Sequence, residues 1–136
     1  NKLNGTLILE DDACRVGYLP LELPQDGITY LGGFFHNKKM TDNTKFHHIS
    51  VKGINKLDKD KLRILMTMAY YIPTWQIAKK MLESVEKPRI RAIDVMLYDI
   101  DIPTYYQFPA PYIEADLEST IRKDKRKHSN ELYQWK

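Results

Sequence analysis

The chain has 136 residues, 43% of them apolar and 11% aromatic, which is enough for one domain with its own hydrophobic core. Its one cysteine, Cys14, excludes an internal disulfide framework and a multi-thiolate zinc site, and fits a reducing, intracellular (cytoplasmic) setting. The net charge of +3 is concentrated: residues 122–128 hold five Lys or Arg against one Asp, so positive charge is gathered in one late segment rather than spread over a face.

The first half reads as strands over residues 6–10, 14–19, 28–36 and 45–52, separated by turn residues. Gln25, Asp26 and Gly27 have the composition of a tight turn. Gly32 and Gly33, inside the third strand, predict a bulge or a close backbone approach. Residues 37–44, polar except for Met40, read as an exposed hairpin loop. In the fourth strand Phe46, His48 and Ser50 share one face, with His47, Ile49 and Val51 on the other.

The period then changes. Across residues 58–71 the apolar positions Leu62, Leu65, Met66 and Ala69 recur at helical spacing, and Asp58 and Asp60 suit a helix N-terminus. Pro73 ends that helix, and Thr74 is an N-cap for a second one running to about Val85. Its Ile77, Met81 and Leu82 are expected to face the core, with Lys79 and Lys80 in water. Residues 89–102 read as a short helix followed by a strand. Residues 103–112, with three prolines and four aromatics, read as an ordered extended connector. Pro111 then opens a C-terminal helix with Ile113, Leu117 and Ile121 as its buried stripe. The expected fold is one α+β domain over residues 1–136: N-terminal antiparallel strands, a helix-turn-helix-like pair, and a C-terminal helix with a basic end at 122–136. The longest apolar run, 64–72, is far short of the roughly 20 residues that span a bilayer, so no membrane is expected. The chain opens without a secretory leader pattern, and further residues are expected before Asn1.

Three functional readings follow. The first is a non-catalytic domain contacting nucleic acid, or a nucleoprotein assembly, through Arg122, Lys123, Lys125, Arg126 and Lys127, with Lys79, Lys80, Arg89 and Arg91 as a second patch. Residues 76–80 resemble the first helix of a helix-turn-helix, but Leu82 stands where that motif carries glycine, and Pro88 where it carries an apolar core residue. The bland alternative is a solvated tail whose cations favour a helix C-terminus.

The second reading is a small phosphate-directed enzyme. His48 would be general acid or base and Ser50 a phosphate contact, with His47 and His36 in support. His48-Ile49-Ser50 resembles one of the two His-x-Ser units of the two-histidine phosphoesterases; this chain has a single such unit. The same histidines equally describe partly buried strand residues with satisfied hydrogen bonds. The third reading is a protein-interaction or homo-oligomerising module that uses Tyr105, Tyr106, Phe108 and Tyr112; the alternative is that Tyr105, Tyr106 and Phe108 pack on their own core. No metal site is expected, and no glycine-rich phosphate loop or nucleophile elbow marks a cofactor or covalent chemistry.

Overall fold

In the computed structural model, residues 5–37, 51–85 and 92–115 are described. The order is β1 (Thr6–Leu9), β2 (Ala13–Arg15), β3 (Ile28–Asn37), β4 (Gly53–Lys56), β5 (Leu62–Ile72), α1 (Trp75–Val85), α2 (Ile93–Tyr98), β6 (Thr104–Phe108) and β7 (Tyr112–Glu114). Five strands form one mixed sheet in the order β1-β5-β3-β6-β4, and β2 and β7 form a separate antiparallel ribbon. Within the large sheet only the β3–β6 pairing is parallel.

Residues 58–71 are not a helix. Lys61 and Leu62 donate their backbone N–H groups to the Asp58 carbonyl, and Asp60 donates to the Asp58 carboxylate, so Asp58 shapes a turn into β5. The helical spacing misleads because β5 is covered on both faces. Ile64, with Leu62, Tyr70 and Ile72 beside it, joins one core, while Ala69 and Tyr71 join the other. A strand buried on both sides loses the apolar–polar alternation that marks a half-exposed strand. The β-branched and aromatic content of Ile64, Thr67, Tyr70, Tyr71 and Ile72 fits a strand.

The C-terminal helix opened by Pro111 is likewise replaced by strands. Residues 104–108 pair with β3 and β4, and residues 112–114 pair with β2. The prolines bracket these strands rather than interrupt them: Pro103 accepts from the Ile28 N–H, and Pro111 accepts from Val16 and Gly17. Ile113 is thus a strand residue opposite Cys14, while Leu117 and Ile121 lie outside the described residues. The strand expected within 97–102 starts instead at Thr104, after α2 and a bend.

The second predicted helix is present as α1. The Thr74 hydroxyl accepts the Ile77 N–H at 3.3 Å, a cap whose loss costs about 1 kcal/mol. Ile77 and Met81 are buried, but Leu82 points outward, 57% exposed. The larger core lies between the sheet and the helices, with Ile28, Tyr30 and Ile64 against Ile77, Met81 and Leu97. A second core lies on the opposite face, where Tyr112 meets Leu23, Leu31, Ala69 and Tyr71. There the ribbon approaches so closely that a Cβ on Gly32 would sit 3.0 Å from the Tyr112 carbonyl oxygen. The register of β3 slips on both sides of Gly32, and Gly33 has a φ of 134°, so the paired glycines do mark the expected irregularity.

Two predictions test this architecture. A Cβ on Gly27 would collide with the Pro103 backbone, where the parallel β3–β6 pairing begins. Gly27→Ala is therefore expected to lower unfolding free energy by about 1–3 kcal/mol in urea titrations. The hydroxyls of Tyr30, Tyr70 and Tyr106 all ionise above their ordinary value of 10.0, burial being the first cause; Tyr70 and Asp94 add to it for Tyr30, and Glu10 for Tyr70. The folded state holds these protons more tightly than the unfolded chain, so stability is full below pH 10.0 and falls above it. The buried Tyr30 hydroxyl has no hydrogen-bond partner. Tyr30→Phe is thus expected to be no less stable at neutral pH, and to flatten the loss measured up to about pH 11.

Candidate nucleic-acid interface

An α-helix that buries one stripe leaves the opposite side free of packing constraints. In α1 the buried stripe is Ile77 and Met81, and the outward side carries Trp75, Gln76, Lys79, Lys80, Leu82 and Glu83. Trp75 is 68% exposed. Trp75, Lys79 and Leu82 are spaced i, i+4 and i+7, so they line one strip of the helix surface. The Lys79 ammonium lies 5.7 Å from the centre of the indole ring, within range of a cation–π attraction. It also reaches the Glu83 carboxylate at 3.9 Å, an exposed pair worth a few tenths of a kcal/mol, roughly 0.3–0.5. Lys80 is exposed alongside.

This arrangement offers a flat aromatic face next to one ammonium group, with Lys80 exposed farther round the helix. A planar ring accepts a stacked base of any identity, and lysines neutralise the phosphates that flank it. The sequence from 75 to 91 holds five basic residues against two acidic ones, and two of the five, Arg89 and Arg91, belong to the patch predicted from sequence. Both lie outside the described residues, as do Arg122, Lys123, Lys125, Arg126 and Lys127.

The predicted phosphate-directed set is only partly placed. His47, His48 and Ser50 lie outside the described residues. His36 is in β3, where it is the register partner of Arg63 on β5. Arg63 was not anticipated. Its guanidinium stacks 4.7 Å from the centre of the Tyr98 ring, and its buried Nε has no hydrogen-bond partner. The Tyr98 hydroxyl donates to the Lys59 and Leu62 carbonyls, which fixes the ring.

The four residues predicted to bind a partner are not one exposed surface. Tyr106 is buried in the helix-side core and Phe108 packs against it; Tyr112 is buried in the opposite core. Tyr105 is half-buried and donates its hydroxyl to the Asp26 carboxylate at 3.1 Å. The alternative reading, that Tyr105, Tyr106 and Phe108 pack on their own core, describes Tyr106 and Phe108.

Among the described residues no helix is long and apolar enough to cross a membrane, and no group of three or more His, Cys, Asp or Glu is placed to hold a metal ion. No known protein family, curated protein or solved structure matches the chain.

Because Trp75, Lys79 and Lys80 project away from both cores, replacing them is expected to leave the fold intact. Trp75→Ala and the double change Lys79→Glu/Lys80→Glu should each shift unfolding free energy by no more than about 0.5 kcal/mol, with unchanged far-ultraviolet circular dichroism.

Proposed function

We propose that this chain is a non-catalytic nucleic-acid-binding domain whose contact surface is the outward face of α1, with the basic residues near the C-terminus adding phosphate contacts. The observation that carries the reading is the juxtaposition of an exposed indole with the Lys79 ammonium on the outward side of α1, where Lys80 is also exposed. Exposed indole serves unpaired bases better than duplex, because a stacked base must first leave its own stack. The preferred ligand is therefore single-stranded. Arg122, Lys123, Lys125, Arg126 and Lys127 supply charge that attracts the backbone of either DNA or RNA without reading its sequence. The exposed free thiol of Cys14 suits a reducing compartment such as the cytoplasm.

The test is a salt titration of fluorescent single- and double-stranded oligonucleotides against the full-length chain. Single strands should bind more tightly, and log affinity should fall linearly with log salt, by about 0.7 per phosphate neutralised. Trp75→Ala should weaken binding by about 1–3 kcal/mol, and Lys79→Glu/Lys80→Glu should lower the salt slope. In a Trp135→Phe background, the remaining emission from Trp75 should be quenched by the bound strand. If affinity and slope ignore both α1 variants and respond only to charge reversal at 122–127, then α1 is not the contact surface. A flat salt dependence would remove nucleic acid as the partner.

A further inference from the structure

A second constellation sits apart from the outward face of α1. Lys59 lies in the turn before β5, Arg63 near the start of β5 and Tyr98 at the end of α2; they meet although Tyr98 is 35 residues beyond Arg63. Tyr98 is buried and pinned by its hydroxyl bonds to the Lys59 and Leu62 carbonyls, so its ring is a fixed plate. Arg63 stacks on that plate at 4.7 Å, and Lys59 brings its ammonium to 5.8 Å of the same ring.

The two cations are held differently. Lys59 donates to the Ile100 carbonyl at 2.7 Å, and burial holds its ammonium below the ordinary lysine value, with Asp101 and Asp99 opposing only part of that shift. Arg63 is half-buried, its Nε is shut away from solvent without a hydrogen-bond partner, and no carboxylate among the described residues forms an ion pair with it. Stacking on an aromatic ring leaves the outer Nη–H donors of a guanidinium in its plane, and their fork matches the paired oxygens of an oxyanion.

We propose that Arg63, stacked on the Tyr98 ring that Lys59 also approaches, binds a phosphate group. A phosphate offers three or more oxygens and up to two negative charges, which suits several nitrogen donors around one fork better than a carboxylate with two oxygens does. The phosphate belongs either to a small phosphorylated molecule or to a nucleic-acid backbone. This site does not depend on the α1 reading, since it uses none of Trp75, Lys79 or Lys80.

The test is nitrogen-15 NMR of the full-length chain, following the Arg63 Nε–H resonance, identified by its disappearance in Arg63→Lys. Inorganic phosphate, acetate at matched ionic strength and a short single-stranded oligonucleotide are titrated separately. Phosphate or the oligonucleotide is expected to move the resonance in a saturable manner, and acetate not. Saturation by inorganic phosphate marks a small-molecule source, and saturation by the oligonucleotide alone marks the backbone. Followed through backbone amides, Arg63→Lys should weaken binding by about tenfold or more, because an ammonium keeps the charge but loses the fork. Trp75→Ala should leave it unchanged, which separates failure here from failure of the α1 surface. The proposal is overturned if no phosphate-bearing ligand moves the resonance, if acetate acts equally, or if Arg63→Lys binds phosphate as well as the parent chain.

Discussion

The architecture depends on one constraint: β3 and β5, adjacent in the middle of the sheet, must have both faces covered. Ile28, Tyr30 and Ile64 need an apolar cover on one side, and Leu31, Ala69 and Tyr71 need another on the opposite side. The chain supplies two unlike covers, the α1–α2 pair and the β2–β7 ribbon. A ribbon has no helical radius to hold it off the sheet, so its backbone comes close, and at Gly32 it leaves no room for a Cβ. A side chain there would separate the layers and open space around Tyr112, which fills that core.

The same constraint decides which aromatic residues remain outside. Tyr30, Tyr71, Tyr106 and Tyr112 are all consumed by the two cores, and with them most of what a Pro- and Tyr-rich segment offers an outside partner. Helix α1 closes its side of the sheet with Ile77, Met81 and, at its end, Val85. Its remaining surface is free to carry whatever solvent tolerates, and polar residues suffice for that. An indole and a leucine aligned with a lysine gain little from folding in such a place, so their chemistry is directed outward.

How far the fold was legible follows from the same packing. Strands β1 and β3, the glycine irregularity and the capped helix α1 each carry a local signal: alternation, a paired glycine, or Thr74 before an amphipathic run. Strand β5 carries none, because burial on both faces removes alternation and leaves apolar spacing open to a helical reading. β6 and β7 were hidden for another reason: three prolines looked like interruptions, yet each falls where no ladder N–H is required. Trp75 was legible in principle, since it stands two residues before Ile77 and therefore across the helix from the buried stripe. The meeting of Arg63 with Tyr98 had no sequence signal, because only the tertiary fold brings the start of β5 to the end of α2.

The two cationic surfaces differ in what folding demands of them. Lys79 and Lys80 stay in water, so their charge costs the fold almost nothing and gives any anion a diffuse, salt-sensitive attraction. Arg63 is partly withdrawn from water with a donor unmet, and removing water from a charged donor opposes folding. The Tyr98 ring offsets part of that penalty and leaves the hydrogen-bonding need in place. An anion at Arg63 would relieve that penalty, whereas a strand on the α1 face has no such penalty to relieve. Either ligand, binding the folded chain and not the unfolded one, raises the stability of the domain by linkage, by an amount set by its concentration relative to its Kd.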